Sequence, residues 1–365
     1  MKTISTFPLA VACALFTGCI AAPPIGGAGA TAAEPSGPTT IAFGACCDQN
    51  REQPIWDAIV AAKPDLFIFA GDNIYGDTQD MAVLQAKYDQ LAAQPGYQRL
   101  LESCPILAVY DDHDYGQNDG GREYPMRAES AAMCLDFFGV PENDSRRGHE
   151  GVYGATILGE PGKRVQVILL DTRYFRDPIV RGTLTAEERR EANVVGWYKP
   201  TEDTTRTLLG EAQWRWLAGE LRKEAEVRLV VSSIQVVPNE KGMECWGNMP
   251  HERESLFGLI ESTDANGVVF LSGDVHFAEV SRSDEGPYPL YDFTSSGLAQ
   301  SPHLTWPAAV NSYRQPDMLY DGQNFGLVRF DWNGDDTQLR LQACTAEGAV
   351  AFEQVVPLNR LRPTD

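Results

Sequence analysis

Acidic residues, joined by a tyrosine or a histidine, follow three short apolar segments of this chain. The segments cover residues 66–70, 106–110 and 268–271, and they run into Gly71-Asp72-Asn73-Ile74-Tyr75, Asp111-Asp112-His113-Asp114 and Gly273-Asp274-Val275-His276. An apolar run of this length predicts a buried strand, and open α/β sheets bind ligands at the carboxyl ends of their strands. One Gly-Asp pair after a strand is usually a turn, but the repetition predicts a metal site with Asp72 as the bridging carboxylate.

The elements that must position these residues begin at residue 40. The pattern predicts the order strand 40–44, helix 53–62, strand 66–70, helix 80–91 and strand 106–110. This βαβαβ order implies parallel strands that are joined by right-handed crossovers. The first strand ends in Gly44-Ala45-Cys46-Cys47, so if the strands are neighbours Cys46 lies beside Asp72.

The rest of the chain is predicted to continue as α/β and then to become all-β. Helices are expected at 125–138, 211–224 and 250–262, a β-hairpin at 151–158 and 165–170, and strands at 227–232 and 268–271. The polar segment 196–206 is expected to be an irregular surface insertion. Later strands are expected at 278–282, 290–294, 325–332, 338–344 and 350–356. With no low-complexity linker between these elements, the sequence favours one catalytic domain over residues 40–365.

The N-terminus has the pattern of an export signal. Lys2 precedes a short apolar run that ends in Leu15-Phe16-Thr17-Gly18-Cys19, which resembles a bacterial lipobox. The pattern predicts a lipoprotein-type signal peptide over residues 1–19, with Cys19 lipidated, and a flexible tether over residues 20–39. Cleavage within residues 28–33 is the competing prediction. In both cases the protein is expected to be exported to the periplasm or the cell surface, with membrane attachment only through a lipid anchor.

The net charge limits which partners the protein is expected to bind, and the cysteines offer a candidate metal ligand. The formal net charge of −21 argues against a nucleic-acid partner, because proteins that bind the phosphate backbone are usually basic. Adjacent cysteines form a strained disulfide, so one of Cys46 and Cys47 is expected to be a ligand. The alternative is a disulfide between Cys46 and Cys104 or Cys245, as exported cysteines often form.

Five motifs occur in a fixed order along most of the chain. They are Gly44-Ala45-Cys46, Gly71-Asp72-Asn73-Ile74-Tyr75, Asp111-Asp112-His113-Asp114, Leu170-Asp171-Thr172-Arg173-Tyr174 and Gly273-Asp274-Val275-His276. In this order they resemble the PhoD-like alkaline phosphatases of the calcineurin-like metallophosphoesterase superfamily. The resemblance implies a four-layer α/β/β/α sandwich with a C-terminal β-rich portion and with metals at the strand ends. In better-known members of the family these metals are iron(III) and calcium.

The resemblance also assigns ligands. It places iron(III) on Cys46, Asp72, Tyr75 and His276, and a second metal on Asp72, Asp112 and Asp274. Phenolate and thiolate are anionic donors that suit a trivalent iron, whereas an oxygen-only set suits a hard divalent ion such as Ca²⁺. Aspartates replace an asparagine and a histidine that many phosphoesterases use, which favours calcium or magnesium over zinc at the second position. A further histidine ligand usual in such enzymes has no equivalent here, since residues 232–235 occupy that region.

The implied reaction is in-line attack on phosphorus by a hydroxide that bridges the metals. His113 would contact the phosphoryl oxygen or protonate the leaving group. Asn118 and Arg173 would contact phosphate oxygens, Arg173 through a bidentate fork. Two alternatives stay open: Arg173 pairs with an aspartate and braces the sheet, and Asn118 is a turn residue.

The sequence therefore predicts a hydrolase that acts on phosphate esters, as a phosphomonoesterase or a phosphodiesterase. A phospholipase D-like or teichoic-acid phosphodiesterase is the alternative within this class. From a different class, the chain could be a non-catalytic exported lipoprotein that uses the fold for binding.

Overall fold

A computed structural model describes residues 36–302, 306–332 and 336–363 of the chain. The predicted signal peptide, including Cys19, and residues 20–35 of the predicted tether lie outside these ranges. All of the described residues belong to the unit Pro35–Asp365. Within them, no helix combines the length and the hydropathy that a membrane crossing requires.

The described strands and helices follow one another from residue 40 to residue 357. The strands are β1 Thr40–Gly44, β2 Leu66–Ala70, β3 Ile106–Val109, β4 Gly154–Leu158, β5 Val165–Leu169, β6 Val180–Arg181, β7 Tyr198–Lys199, β8 Val227–Ser232, β9 Val268–Ser272, β10 Ala278–Ser283, β11 Leu290–Ser295, β12 Arg314–Tyr320, β13 Asn324–Asp331, β14 Gln338–Thr345 and β15 Val350–Pro357. The α-helices are α1 Ile55–Ala61, α2 Met81–Ala92, α3 Pro95–Ser103, α4 Asp112–Tyr115, α5 Arg127–Phe137, α6 Ala186–Glu191, α7 Gly210–Leu221 and α8 Pro250–Ser262.

Two large mixed sheets carry the fold. The first has the order β15-β14-β13-β1-β2-β3, and β1, β2 and β3 are parallel, which confirms the predicted βαβαβ unit. The second has the order β12-β10-β11-β9-β8-β5-β4, and its parallel core is β5, β8, β9 and β11. The C-terminal β-rich portion is shared, since β10 to β12 extend the second sheet and β13 to β15 extend the first.

Alternating side chains in the strands explain the layers. In β2, Leu66, Ile68 and Ala70 belong to the core between the sheets, whereas Phe67 and Phe69 pack under the helices on the outer face. Trp56 of α1 contacts both of these phenylalanine rings at centroid distances of 6.0 Å.

The two sheets and the second helical layer meet through aromatic contacts. Phe43 of the first sheet packs edge-on against Phe293 of the second, with ring centroids 5.0 Å apart. On the far side, Phe257 of α8 stacks on Phe270 of β9 at 6.2 Å. Helices therefore cover the outer faces of two packed sheets, and the predicted α/β/β/α sandwich is confirmed.

Several elements were not predicted from the sequence. Helix α3 was missed, and α6 is a short exposed helix whose Thr185-Glu188 capping box was present in the sequence. Strand β12 contains Pro316 and pairs only with β10 through an irregular register, so it lacks the apolar alternation of a central strand. The prediction that 196–206 is wholly irregular was wrong, because β7 lies in it and pairs with β6.

Candidate metal centre

The carboxyl ends of strands from both sheets converge on one region. Gly71 and Gly273 make this possible, because a Cβ at Gly273 would lie 2.6 Å from the Cβ of Ala45 and 2.9 Å from the oxygen of Ala70. A Cβ at Gly71 would lie 2.6 Å from the Cβ of Asp111. The glycines in the Gly-Asp motifs therefore allow three strand ends to approach closely enough for the following aspartates to meet.

Four of the predicted metal ligands have a left-handed backbone. The φ angles are 61° at Cys46, 50° at Asp72, 72° at Asp274 and 62° at His276. This conformation costs a residue with a Cβ about 1–2 kcal/mol. Such residues tend to cluster at functional sites, where the surrounding structure holds them in place. Here the turns after the strands direct the side chains of Cys46, Asp72 and His276 toward one another, and the Cys46 sulfur also contacts the backbone oxygen of Asp274.

The first ligand group joins Cys46, Asp72 and His276, whose donor atoms lie within 4.8 Å of one another. The Cys46 sulfur is 3.3 Å from Oδ2 of Asp72, so the prediction that these residues are adjacent is confirmed. The Tyr75 hydroxyl is 3.0 Å from Nε2 of His276. Cys46 and the other five described cysteines are free thiols, which excludes the alternative disulfides within the described part of the chain.

A second group shares Asp72 with the first. Asp72, Asp112 and His113 each offer an atom within 4.8 Å of the others. Asp274 lines the same cavity, and its Oδ2 is a buried atom that has no hydrogen-bond partner among the described residues. A buried carboxylate oxygen without a partner is costly, unless a cation or a proton satisfies it.

Burial makes this acidic cluster suitable for cations. Burial and the Asp112 carboxylate raise the pKa of Asp72 well above its usual value, and burial and Asp111 do the same for Asp274. Burial is also the main reason that the pKa of the Cys46 thiol is raised. These shifts arise because several negative charges share a buried space, and a multivalent cation removes the same repulsion. The donor set therefore fits two metals. The first group offers sulfur, imidazole and carboxylate donors beside the Tyr75 phenol, and the second offers carboxylates and the His113 imidazole.

His113 is held by contacts on three sides. Its Nδ1 lies 2.8 Å from Oδ1 of Asp77, its ring packs on Tyr75 with centroids 4.2 Å apart, and its backbone N–H donates to Asp72. Burial disfavours the imidazolium ion, but Asp72 and Asp77 outweigh it and raise the pKa of His113 to about 11. The Asp77 contact leaves Nε2 as the ring nitrogen that is free to face a ligand.

The outer aspartates of the 111–114 motif have structural contacts instead. Asp114 accepts hydrogen bonds from the Asp111 N–H at 2.7 Å and from the Asn73 amide at 2.5 Å. Asp111 accepts from Arg173 Nε at 2.6 Å. Because α4 begins at Asp112, one short helical turn directs Asp112 and His113 to the site, and the contacts of Asp111 and Asp114 hold this turn in place.

Arg173 and Asn118 lie in different environments. Arg173 is fully buried, and its guanidinium pairs with Asp111 and with Glu244, whose Oε2 is 2.6 Å from Nη2. These contacts match the bracing alternative for Arg173. Asn118 lines the cavity above the ligand groups, together with Asp72, Asp112, His113 and other residues.

Three acidic residues at the site were missed from the sequence. Asp77 contacts His113, and Asp119 and Glu244 form a further group with Asp112 within 4.8 Å. Asp119 lies directly after Asn118, so the polar segment 117–119 was a usable signal. Glu244 follows no strand and lies far from every motif in the sequence, so no signal indicated it.

The cavity above the ligand groups has a volume of about 330 Å³. A larger cavity of about 680 Å³ lies beside α8, next to Arg253 and Phe257. The wall of the larger cavity has glutamates but no Asp, His or Cys, and none of the described residues that line it belongs to a group that could hold a metal, so the chemistry points to the smaller cavity.

Comparison with known proteins gives a consistent result. A family model of PhoD-like phosphatases matches residues 41–341. The chain belongs to this family. Alkaline phosphatase D of Bacillus subtilis (strain 168) is 31% identical over 294 residues, which are 67% of this chain and 46% of that relative. The chain thus spans about half the length of this curated relative.

Solved structures support the fold. A structure of PhoD superposes with a TM-score of 0.65 at 17% identity, and the match covers 88% of this chain and 69% of that one. A dimetal phosphatase from Danio rerio gives a TM-score of 0.51 at 13% identity and covers 88% of this chain and 99% of that one. At these identities the similarity shows a common architecture of two sheets between helices.

Proposed function

We propose that this protein is a metal-dependent phosphoric ester hydrolase of the alkaline phosphatase D type. The proposal rests on one observation above all: two groups of metal-ligating side chains adjoin and share Asp72. A shared carboxylate is suited to bridging two cations, and two cations supply Lewis acidity to both the attacking and the leaving side of a phosphoryl transfer. The match to the PhoD-like phosphatase family supports this reaction class.

We assign iron(III) to Cys46, Asp72, Tyr75 and His276, and Ca²⁺ or another divalent ion to Asp72, Asp112 and Asp274. Thiolate and phenolate donors favour the trivalent ion, and carboxylate oxygens favour the hard divalent ion. The closeness of the Cys46, Asp72 and His276 donors and the unpartnered Oδ2 of Asp274 support the two assignments.

The other polar side chains have separate roles. His113 donates the proton from Nε2 to the leaving-group oxygen, because Asp77 holds Nδ1 and favours the imidazolium form. Asn118 donates to a phosphate oxygen from the cavity wall. Arg173 braces Asp111 and Glu244 from below and thereby orients the loops at the site.

The substrate is a phosphomonoester or a phosphodiester, and a phospholipid head group or a teichoic acid is a candidate diester. Purified protein would be tested with p-nitrophenyl phosphate and with its bis ester, alongside elemental analysis of the same sample. Hydrolysis of either compound by protein with two metals per chain is the expected result. Absence of turnover with both metals bound would overturn the proposal in favour of a non-catalytic binding protein.

The iron assignment has an independent optical test. A ferric phenolate gives a visible charge-transfer band, so protein purified without chelator is expected to be coloured and to contain one iron per chain. Tyr75→Phe keeps the ring but removes the donor oxygen, so it should abolish or shift the band. A colourless wild type without stoichiometric iron, or a band that Tyr75→Phe leaves unchanged, would contradict this ligand set.

We further propose that the chain is exported and acts in the periplasm or at the cell surface, anchored through Cys19. The lipobox-like sequence before Cys19 supports this location. Radiolabelled palmitate should be incorporated into the wild type and not into Cys19→Ser. Equal labelling of both proteins would refute the anchor.

A further inference from the structure

One wall of the site cavity comes from a segment outside the five motifs, residues 178–207, which we call the arm. The arm contains β6, α6 and β7. Its backbone is fixed to the loop after β8, because the N–H groups of Val195 and Gly196 donate to the Lys241 oxygen at 3.0 and 2.9 Å. A Cβ at Gly196 would lie 1.9 Å from the Gly242 oxygen, so the two backbones are in direct contact. The arm is therefore held in position before any ligand arrives.

A side chain of the arm also contacts the acidic cluster. The Tyr198 hydroxyl donates to Oδ2 of Asp119 at 2.5 Å, and the Asp119 N–H donates to Oδ2 of Asp112 at 2.7 Å. The arm is thus two hydrogen bonds from a proposed metal ligand. Its cavity-lining side chains share one cavity with the proposed metal ligands, so they are within reach of a group attached to a phosphate that the metals would hold.

Trp197 is an exposed aromatic residue in this wall. Its relative exposure is 53%, although it lines the cavity. The guanidinium carbon of Arg189 lies 3.3 Å from the ring centroid and covers one face. The exposed area of Trp197 therefore lies on the parts of the indole that Arg189 does not cover. An indole that a cation holds on one face can stack a planar group on the other face.

Arg181 adds a positive charge to the same wall. Its side chain is exposed, and among the described residues it has no ion-pair or hydrogen-bond partner. The other charged lining groups, apart from His113, are carboxylates: Asp72, Asp112, Asp119, Glu244 and Asp274. An unpaired guanidinium beside an acidic site is suited to a negatively charged group of the substrate.

We propose that Trp197 and Arg181 form the subsite for the leaving group, and that it selects phosphate esters whose leaving group has a planar ring and a second negative charge. Trp197 stacks on the ring and Arg181 pairs with the charge. This inference rests on the proposed hydrolase function and narrows its substrate class.

Three synthetic substrates separate the two contributions. Phenyl phosphate and cyclohexyl phosphate differ in the planarity of the leaving group, and 4-carboxyphenyl phosphate adds one charge to phenyl phosphate. Comparing each variant with the wild type on the same compounds removes intrinsic differences in reactivity. The readout is the ratio of kcat/KM values between paired compounds, with KM and kcat resolved.

Trp197→Ala is expected to lower the phenyl-to-cyclohexyl ratio about tenfold, mainly through KM, because the planar ring loses the aromatic surface on which it stacks. Arg181→Ala is expected to lower the carboxyphenyl-to-phenyl ratio about three- to tenfold, and Arg181→Lys should retain part of the preference. Leu184→Ala and Arg190→Ala are matched controls, because both residues are exposed on the arm and neither lines the cavity. The controls should leave both ratios unchanged.

Ratios that Trp197→Ala and Arg181→Ala leave unchanged would overturn the subsite. Failure of the proposed function would look different, because the metal-loaded wild type would hydrolyse none of the three compounds. In that case equilibrium binding of phenylphosphonate against inorganic phosphate still tests the stacking. Wild type should then prefer phenylphosphonate, and Trp197→Ala should lose the preference. Equal preference in both proteins would reject the inference independently of catalysis.

Discussion

Asp72 is the residue on which both ligand groups depend. It is buried, it contacts the Cys46 sulfur, and it belongs to both groups of donor atoms. Neither Asp112 nor Asp274 belongs to the first group, which contains Cys46 and His276. Neither residue can therefore replace the Asp72 carboxylate, which belongs to both groups. Loss of this one side chain should therefore affect both metals together.

Asp72→Ala is expected to lose both metals and to lower kcat/KM by more than about 10²-fold, beyond the 10–100-fold typical of residues that only orient ligands. Elemental analysis and steady-state kinetics on the same preparation measure this. Asp57→Ala removes an exposed carboxylate that pairs with Arg99, and it should change neither quantity. Turnover like that of wild type in Asp72→Ala would refute the site.

Variants of His113 and Asp77 distinguish two roles of His113, that of a proton donor and that of a metal ligand. His113→Ala is expected to keep both metals and to lower kcat about 10²-fold or more, as for a positioned acid. Asp77→Asn should retain the metals and lower kcat about tenfold, because it weakens the contact with Nδ1 that orients the His113 ring. Kinetics with metal analysis would check both variants. If His113→Ala loses a metal, His113 is a ligand and its role as a proton donor is wrong.

At the scale of elements, the site depends on how closely the strand ends approach. The Gly71 and Gly273 turns bring β2 and β9 together although these strands belong to different sheets. The positive φ at Asp72 and Asp274 follows from the same turns. The packing of the two sheets therefore sets the distances between the metal-ligating side chains, and the strand that precedes each of these residues fixes its position.

Gly273→Ala tests this dependence. The added Cβ meets Ala45 and the backbone oxygen of Ala70, so overpacking should lower the free energy of unfolding by about 1–3 kcal/mol and weaken metal binding. Urea denaturation and metal titration measure the two effects. Gly219→Ala is the control, since its Cβ in helix α7 meets nothing within 4 Å and should stabilise the protein by about 0.5–1 kcal/mol. Unimpaired metal binding in Gly273→Ala would show that close approach of the strand ends is dispensable.

At the scale of the whole molecule, a buried charge cluster links the C-terminal strands to the arm. Glu279 of β10 accepts from Lys241 and from Nε of Arg314 in β12, the latter at 2.7 Å. The Lys241 backbone oxygen in turn accepts two N–H groups of the arm. The second sheet therefore supports the cavity wall through one fully buried carboxylate.

The pH dependence of this cluster has a defined sign. Burial opposes ionisation of Glu279, but Lys241 and Arg314 outweigh it and lower its pKa from 4.5 to about 2. A depressed pKa means that the stabilisation is complete above about pH 4.5 and is lost as the pH falls toward 2. Acidification through this range should therefore weaken the support of the arm.

Glu279→Gln is expected to lower the free energy of unfolding by about 3 kcal/mol at pH 7, because it leaves the buried Lys241 and the half-buried Arg314 without their ionised partner. The difference from wild type should shrink by about 2 kcal/mol at pH 3. Urea denaturation at both pH values measures it. Glu211→Gln, a change at an exposed residue, should have an effect within about 0.5 kcal/mol at either pH. A Glu279→Gln difference that stays constant with pH would show that the ionised carboxylate contributes nothing.

The sequence by itself determined the elements whose signals are local. The apolar runs before Asp72, Asp112 and Asp274 predicted strands, and parallel pairing placed the carboxyl ends of β1, β2 and β3 at one edge of the first sheet. The neighbourhood of Cys46 and Asp72 followed from the same rule, because β1 and β2 are adjacent in the sheet. These features need only the side-chain pattern and the handedness of crossovers, which act over short stretches of chain.

Only the tertiary structure decided which polar groups meet across the molecule. Asp111 and Asp114 belong to the same acidic motif as Asp112, and it is the tertiary structure that gives their carboxylates to Arg173 and Asn73. Asp119 and Glu244 reach the site although they are more than 100 residues apart, and Trp197 belongs to a segment that was expected to be irregular surface. Such contacts depend on where long loops return to the sheets, and residue type and local spacing do not encode that path. The strand ends that carry the ligands could therefore be read from the sequence, and the bracing role of Arg173 was one of two alternatives there, whereas the wall of the cavity could not be read from it.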